Sequence, residues 1–381
     1  MGTIDLKKHF DAAVNPPEGW QGDLYFHNRL GQKIRYGHAP ARGTRRGTVV
    51  LTHGYAEHID LYHETIKRYQ AMGYEVWAMD WQGHGKSERD DPAHPLRPGT
   101  RGLMRLAGDL DFFVHNIVKA HHDPATPLML STHSMGGHIS LLYLKKHPGI
   151  FDAAVMSAPM YDIFRLGLGR WARPAIRFIF NAAAAMGLRD VGVPTVDELK
   201  AIFPRIGAAI ASIFKSPSTL RGELREMMKD LTPDAKLGRP TFGWIAAAYN
   251  TIVPSTTEEF LKSIKTPVLI ASAEKEDLVD NGAHKRAAEI MPNARHVTIE
   301  GARHGLWFED DGPFEAWWSH IAHFTAQVEQ TVARGTVPSD FDMEKTLRGR
   351  IVTAHRCPVC PEDIRHPPAG EDLRPSLKLL S

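Results

Sequence analysis

The sequence has few of the features that mark disulfide-rich or nucleic-acid-binding proteins. Only two of the 381 residues are cysteines, and both fall in one short motif near the C-terminus, so a disulfide framework is excluded. The chain carries 46 lysine and arginine residues against 44 acidic residues, a formal net charge of +2. This balance lacks the basic excess that favours binding to nucleic acid. We therefore expect no nucleic-acid partner.

Long hydrophobic runs are also missing. No uncharged apolar stretch reaches 18 residues, the length that would indicate a transmembrane helix. The first ten residues include Asp5, Lys7 and Lys8 with no apolar segment behind them, so we expect no secretory signal peptide. These features predict a cytoplasmic protein, and they are compatible with peripheral attachment to a membrane surface.

Short apolar runs that alternate with helical patterns dominate the rest of the chain. A hairpin is predicted over residues 24–39. Buried strands are predicted at 48–53, 74–80, 128–133, 151–157, 266–273 and 295–300. Helical spacing of apolar residues follows at 61–72, 103–119, 282–291 and 313–332. This alternation predicts an α/β fold with a mostly parallel sheet flanked by helices.

The pattern also predicts how the chain is divided. Between residues 159 and 257 amphipathic helices and prolines replace the strands, which indicates a helical cap inserted into the core. Residues 1–158 and 258–332 would then form the two parts of one α/β core. Residues 333–381 combine prolines with mixed charge and show no periodicity, so we expect a largely disordered tail.

Ser134 stands between a predicted strand and a predicted helix. The segment Ser134-Met135-Gly136-Gly137 is a small, polar turn between two apolar patterns. A serine at the apex of such a turn is lifted away from the backbone, and the N-terminus of the next helix lies beneath it. We predict that Ser134 is a nucleophile.

Acyl transfer to a serine requires two backbone N–H groups directed at the developing oxyanion. The residue after the nucleophile, Met135, would supply one of them, and Tyr55 in the loop after the strand at 48–53 would supply the other. His53, at the end of that strand, fits two interpretations: a satisfied core histidine, or a residue that positions the loop.

Four carboxylates follow the predicted strand at 266–273: Glu274, Glu276, Asp277 and Asp280. A carboxylate at this edge could orient the imidazole of a catalytic histidine. Asp277 is favoured because it precedes a Leu-Val pair that would return to the core. Asp280 stands at an expected helix N-cap, and the two glutamates are expected in solvent, but all three stay alternatives.

The histidine of such a site should follow the last strand. His304 lies in that loop, whereas His296 belongs to the strand itself, and His320 and His323 fall on the closing helix. The chain order Ser134, Asp277, His304 is nucleophile, acid, base, the order found on an α/β-hydrolase sheet. The two-step acyl transfer that these residues would perform needs neither a metal nor an organic cofactor.

Five ordered motifs carry a family resemblance: HGYAEH at 53–58, DWQGHGKS at 80–87, HSMGG at 133–137, DLVD at 277–280 and GARH at 301–304. Over about residues 20–330 the chain resembles the monoacylglycerol lipase and bacterial lysophospholipase branch of the α/β hydrolases, which are S33-like serine hydrolases. The segments at 147–152 and 157–159 favour the lysophospholipase side. The resemblance implies an α/β-hydrolase fold and a serine carboxylic-ester hydrolase that acts on a single-acyl lipid.

The residue two before the serine departs from the usual Gly-x-Ser-x-Gly elbow, because Thr132 replaces the first glycine. A β-branched side chain adds volume where the strand and helix approach each other. We expect this crowding to affect the geometry of the elbow more than the identity of Ser134.

The predicted cap contains arginines at helical spacing, Arg170, Arg173 and Arg177, with Trp171 and Phe178 on another face. One hypothesis is a basic surface that adsorbs to lipid, with an acyl channel that includes the apolar stretch 206–214. The other is a packed helix with solvated arginines.

The arginines favour a phosphate-bearing leaving group and hence a lysophospholipase. The alternatives are a monoacylglycerol lipase, a small-ester hydrolase or aminopeptidase of the same fold, and a catalytically silent binding protein, for which Thr132 is the only hint.

Cys357 and Cys360, with His355 and His366 nearby, resemble half of a zinc site. A closed site needs four ligands held by a fold, so we expect two reduced thiols and no metal.

Overall fold

The computed structural model describes residues 6–163, 170–194, 198 and 219–335. One sheet of eight strands runs through them in the spatial order β1-β2-β4-β3-β5-β6-β7-β8. The strands are β1 (Gln21–His27), β2 (Lys33–Ala39), β3 (Gly47–Thr52), β4 (Tyr74–Met79), β5 (Leu128–His133), β6 (Ala153–Ser157), β7 (Val268–Ala273) and β8 (Ala294–Ile299). β1 and β2 form the predicted hairpin at one edge, and the six strands β3 to β8 are all parallel to one another. The predicted fold class is confirmed.

The helices of the described residues are α1 (Leu6–Val14), α2 (His63–Ala71), α3 (Leu103–Phe113), α4 (Met135–Lys146), α5 (Arg173–Ala183), α6 (Leu220–Leu231), α7 (Phe242–Ser255), α8 (Glu258–Lys262), α9 (Asn281–Ile290) and α10 (Asp311–Ala333). Apolar side chains of α3, α4 and α9 belong to one buried core, and those of α2 and α10 belong to a second. Because helices cover both faces of the sheet, every residue of β3 to β7 is buried. This burial explains why these strands are continuous apolar runs in the sequence.

The strand order reverses at β3. The chain passes from β3 to β4 on one side and then returns to place β5 on the other side. Thr52 of β3 pairs in register with Thr132 of β5, so both strands end at the same level of the sheet. In open α/β sheets, such a reversal opens a crevice beyond the carboxyl ends of the strands. The loops after β3 and β5 therefore meet at one edge.

Between β6 and β7, the described residues form helices α5 to α8 and, in place of a strand, one isolated bridge from Gly192 to Thr241. Helix α6 is fastened to the core by Arg221, which donates to both carboxylate oxygens of Glu64 and to Asp311. The boundaries of the cap stay a prediction. The predicted tail beyond residue 335, its two cysteines and the stretch 206–214 lie outside the described residues.

None of the helices in the described ranges combines the length and the hydropathy that a membrane span requires.

Candidate active site

Ser134 occupies a strained turn between β5 and α4. Its backbone has φ +49° and ψ −115°, a conformation that residues other than glycine rarely adopt. The Ser134 N–H donates to the Ser157 carbonyl at 3.0 Å, and its own carbonyl accepts from the Met160 N–H at 2.9 Å. The end of β6 and the segment that follows it therefore hold the turn from both sides. The predicted strand, turn and helix are confirmed, because β5 ends at His133 and α4 begins at Met135.

The two glycines after Ser134 allow α4 to start close to its neighbours. A Cβ on Gly136 would lie 2.6 Å from the carbonyl oxygen of His53, and one on Gly137 would lie 2.6 Å from the Cβ of Pro159. The expected crowding by Thr132 is absorbed at the same place, because a Cβ on Gly137 would also lie 3.3 Å from the Thr132 hydroxyl oxygen. The missing side chain at Gly137 thus provides the space that the threonine fills.

His304 lies directly against Ser134. It stands in the loop after β8, and its Nε2 is 2.9 Å from the Ser134 Oγ. Its Nδ1 is 2.9 Å from each carboxylate oxygen of Glu276. Because a carboxylate can only accept, Nδ1 carries the proton, and the lone pair of Nε2 faces the serine hydroxyl. The structure thus brings two of the predicted residues, Ser134 and His304, into hydrogen-bond contact.

The prediction that Asp277 would contact His304 is wrong, because Glu276 makes that contact. The turn after β7 directs residues 276 and 279 inward, while Asp277 is half-buried and Leu278 is exposed. Glu276 Oε1 also accepts from the backbone N–H groups of Leu278 at 2.9 Å and Asp277 at 3.1 Å, which folds its side chain back over the turn. Of the Leu-Val pair that was expected to return to the core, only Val279 is buried. The buried acidic residue of this turn is therefore Glu276 and not Asp277.

The other two carboxylates have structural contacts. Asp280 is the N-cap of α9, as expected, and accepts from the Gly282 N–H at 2.9 Å. Glu274 is exposed and accepts from the Gly301 N–H at 2.8 Å.

The charges of the contact pair reinforce each other. Burial would raise the pKa of Glu276, but the charge of His304 and the hydrogen bond to it prevail and lower that pKa to about 2. Burial would lower the pKa of His304, yet the same carboxylate raises it above the ordinary value. For Asp277 the pKa is raised, first by burial and then by the neighbouring charge of Glu276. Glu276 is therefore ionised at neutral pH and stabilises a positive charge on the imidazole.

The predicted oxyanion donors lie on the two segments that flank this contact. Met135 is the first residue of α4, where an N–H group has no partner within the helix. Tyr55 follows β3 in the loop whose His53 carbonyl abuts Gly136, and its hydroxyl donates to the Gly238 carbonyl at 2.8 Å. His53 is fully buried, with Nδ1 2.8 Å from the Gly54 carbonyl, which supports both of its interpretations. The catalytic roles of Tyr55 and Met135 stay predictions.

Glu57 is a buried carboxylate beneath the Tyr55 loop that the residue-by-residue reasoning missed. It accepts from the Gly54 N–H at 2.7 Å and from the Tyr62 hydroxyl at 2.6 Å, and it pairs with Arg225 of α6 at 3.1 Å. Burial would raise its pKa, but His133 and Arg225 bring the pKa well below the ordinary range. The only signal in the sequence is its place in the HGYAEH motif, because Arg225 is far away along the chain.

The predicted basic face of the cap is only partly present. Arg173 is buried, with Nε 2.5 Å from Asp162 and an Nη 2.8 Å from the Thr256 hydroxyl, so its placement on an exposed basic face was wrong. Arg177 is exposed. The large side chains in solvent are instead apolar, with Trp171 at 75%, Phe178 at 73% and Met186 at 81% exposure.

Among the described residues, no group of three or more histidine, cysteine, aspartate or glutamate side chains is placed to hold a metal ion.

Known proteins resemble this chain in sequence and in fold. A family model described as "Serine aminopeptidase, S33" matches residues 43–311. Lysophospholipase L2 of Escherichia coli is 29% identical over 273 residues, which cover 69% of this chain and 75% of that protein. Monoacylglycerol lipase of Mycolicibacterium smegmatis is 39% identical over 119 residues, 30% of this chain and 38% of that protein.

A solved structure of a thermostable carboxyl esterase from Bacillus coagulans shares the fold. It superposes with a TM-score of 0.63 at 16% identity and covers 81% of this chain and 99% of its own.

Proposed function

The chain belongs to the serine aminopeptidase S33 family and is a serine ester hydrolase with the α/β-hydrolase fold, and we propose that Ser134, His304 and Glu276 are its catalytic residues. The observation that carries this proposal is the continuous contact from the Ser134 hydroxyl through His304 to the buried Glu276 carboxylate. Nucleophile, base and acid are thereby oriented before any substrate binds.

In the proposed reaction, the Ser134 Oγ attacks the ester carbonyl carbon while His304 Nε2 takes the hydroxyl proton. Glu276 stabilises the imidazolium that forms, and the N–H groups of Tyr55 and Met135 would bind the oxyanion of the tetrahedral intermediate. His304 then transfers the proton to the leaving alcohol, and an acyl-enzyme remains on Ser134. Water, deprotonated by His304, releases the fatty acid by the reverse sequence of steps.

The test of the catalytic assignment is Ser134→Ala, measured with a water-soluble p-nitrophenyl ester and a fluorophosphonate probe. We expect labelling of the wild-type protein at Ser134, loss of both signals in the variant and an unchanged unfolding transition. Turnover that survives in the folded variant would refute the nucleophile. Failure of the wild-type protein to react with the probe would favour the silent binding protein.

We further propose that the substrate is a single-acyl lipid, and that it is a lysophospholipid. Support comes from the matches that extend over about 70% of the chain, because lysophospholipase L2 of Escherichia coli is 29% identical there and the monoglyceride lipase homolog of Monkeypox virus is 24% identical. Neither Arg173 nor Arg225 adds support, because the guanidinium of Arg173 pairs with Asp162 and that of Arg225 pairs with Glu57.

The second candidate is a monoacylglycerol lipase, favoured by the higher identity of 39% within the shorter match. The two differ only in the leaving alcohol. Hydrolysis of lysophosphatidylcholine and of a monoacylglycerol with the same acyl chain, compared by kcat/KM, separates them. A lysophospholipase should prefer the first lipid, whereas a ratio below one would favour the second candidate. Aminoacyl amides in the same assay would reveal an aminopeptidase, and short-chain esters alone would indicate a small-ester hydrolase.

We also propose that the exposed apolar side chains around α5 make peripheral contact with a lipid surface. Trp171, Phe178, Ile179 and Met186 present large apolar groups to solvent next to the exposed Arg177, the composition of an interfacial helix. Co-sedimentation with zwitterionic and anionic liposomes tests this. We expect binding to at least one kind of liposome and its loss in the double variant Trp171→Ala/Phe178→Ala. Absence of binding to both would refute the contact.

A further inference from the structure

A chain of buried polar side chains runs behind the active site and takes no part in the proposed reaction. His284, on α9, is completely buried. Its Nε2 is 2.6 Å from the carbonyl oxygen of Pro159, and its Nδ1 is 2.8 Å from the hydroxyl of Ser272 in β7. The same hydroxyl is 2.7 Å from Nε2 of His296 in β8. One ring thus links α9, the end of β7 and the segment after β6.

The chemistry of these groups determines the direction of each hydrogen bond. The Pro159 carbonyl can only accept, so the Nε2–H of His284 must donate to it. The Nδ1 of the neutral ring then accepts from the Ser272 hydroxyl, which in turn accepts from the Nε2–H of His296. Burial lowers the pKa of His284 to about 4, which agrees with a neutral ring at physiological pH. Every polar atom in the chain from Pro159 to Ser272 has a partner of the correct kind.

Pro159 belongs to the segment that holds the nucleophile turn. Its Cβ fills the space above Gly137, and the residues on either side contact the turn. Ser157 accepts from the Ser134 N–H, and Met160 donates to the Ser134 carbonyl. Between them Ala158 has φ +41°, a left-handed conformation that is strained for alanine. A segment with this strain needs fixed contacts to keep its shape, and the His284 hydrogen bond is one of them.

Ser272 connects the same ring to the proposed acid. It is the second-last residue of β7, and Glu276 follows four residues later in the next loop. The Asn281 side chain, at the start of α9, donates to the neighbouring Ala273 carbonyl at 2.7 Å. His284 therefore touches both the support of Ser134 and the strand that leads to Glu276, although it contacts neither catalytic residue.

We propose that His284 is a positioning residue, which sets the location of the Ser134 turn relative to the Glu276 loop through Pro159 and Ser272. The proposal rests on the catalytic roles assigned above to Ser134 and Glu276. Because one rigid ring pairs with both segments, the size of the ring sets the distance between them. Positioning errors of about 1 Å can reduce turnover by about 100-fold, so loss of this link should appear in kcat.

Substitution of His284 by glutamine or by asparagine tests the two hydrogen bonds of the ring separately. In His284→Gln the amide nitrogen can reach the place of Nε2 and donate to Pro159, whereas in His284→Asn the shorter amide reaches only the place of Nδ1. We expect kcat for a p-nitrophenyl ester to fall by about 10- to 100-fold in the asparagine variant and by about threefold or less in the glutamine variant. KM should change by about twofold or less in both, because neither side chain touches the substrate.

The serine end has its own matched pair. Ser272→Ala removes the link to β7, and Ser255→Ala removes an equally buried hydroxyl in α7 that donates to the Ile252 carbonyl, outside the His284 hydrogen bonds. We expect kcat to fall by about three- to tenfold in the first variant and to stay unchanged in the second. Ser272→Ala keeps the proposal testable if the asparagine variant does not fold.

Thermal unfolding of each variant completes the experiment. Equal kcat in the glutamine and asparagine variants, or equal kcat in Ser272→Ala and the wild type, would overturn the proposal. Losses of kcat that only follow the fall in Tm would also overturn it, because they indicate a purely structural role. The wild-type reaction with the fluorophosphonate probe is the reference: its absence would reject the catalytic assignment itself, whereas its presence with insensitive variants would reject His284 alone.

Discussion

The loops after β5 and β7 present two opposite cases of how a chain places a functional side chain. After β5, backbone geometry leaves no choice, because Ser134 stands at φ +49° between a strand and a helix that only two glycines allow to approach. After β7, four carboxylates occur within seven residues. The direction in which one turn points its side chains decides that Glu276 contacts His304. A residue fixed by its backbone can be recognised from a motif. A residue fixed by the rotation of a loop requires the structure.

The largest expected effect contrasts the two adjacent acids after β7. Glu276→Gln keeps the size of the side chain but removes the charge that orients His304 and stabilises its protonated form. We expect kcat/KM to fall by about 1,000- to 10,000-fold. Asp277→Asn should change it by about threefold or less, because that side chain has no hydrogen bond to His304. Steady-state kinetics on one ester decides the matter, and a larger loss in the Asp277 variant would restore the original prediction.

The next effect tests the backbone control of the Ser134 turn. Gly136→Ala would place a Cβ 2.6 Å from the His53 carbonyl oxygen, so the Tyr55 loop and the start of α4 must separate. We expect kcat to fall by about 100-fold and the free energy of unfolding to fall by about 1–3 kcal/mol.

Gly108→Ala is the matched control, because a Cβ there meets no atom within 4 Å and Gly108 lies inside α3. It should stabilise the protein by about 0.5–1 kcal/mol and leave kcat unchanged. Equal kcat in the two alanine variants would contradict the tight contact at Gly136. Kinetics and denaturant unfolding provide both readouts.

A smaller effect is expected beneath the oxyanion loop. Glu57→Gln preserves one acceptor for Gly54 and Tyr62 but removes the charge opposite Arg225. We expect kcat to fall by about tenfold, because the remaining acceptor still holds the loop while the half-buried Arg225 loses the charge of Glu57. If the kinetics of the folded variant equal those of the wild type, Glu57 contributes only to the stability of the fold.

The smallest expected change concerns pH. His304 must be neutral to accept a proton, so kcat/KM rises with pH through the pKa of His304 in the free enzyme. Burial lowers the pKa of His304, but the charges of Glu276 and then Glu57 prevail and raise it above the ordinary value of 6.5. The midpoint of the rise in kcat/KM should therefore lie above pH 6.5. In Glu57→Gln the midpoint should move to lower pH by less than about one unit. A shift to higher pH would contradict the assigned sign.

Much of the architecture follows from local pattern. The runs that become β3 to β7 are apolar throughout because helices bury both faces of the sheet, and Asp280 caps the start of α9 as expected. Ser134 and His304 were found because each follows a strand. These features depend on residues that are close in the sequence.

The misses depend on contacts between distant segments. Arg173 is buried because Asp162 and Thr256 surround its guanidinium, and helical spacing alone carries no information on such partners. Glu57 depends on Arg225, which comes from the insertion. For Glu276, the deciding contacts are with its own following backbone N–H groups, so the difference between residues 276 and 277 is one of rotation within a single turn. Patterns of residue type do not resolve that rotation.

The packing around Gly137 also restricts how this enzyme could be redesigned. A Cβ on Gly137 would lie 2.6 Å from the Cβ of Pro159 and 3.3 Å from the hydroxyl oxygen of Thr132. A smaller residue at position 132 would therefore relieve only one of the two close contacts of an alanine at position 137. The three positions form a unit whose substitutions cannot be additive. A library that varies them one at a time would find no improved elbow here, whereas one that varies positions 132, 137 and 159 together samples the alternatives that the fold can accept.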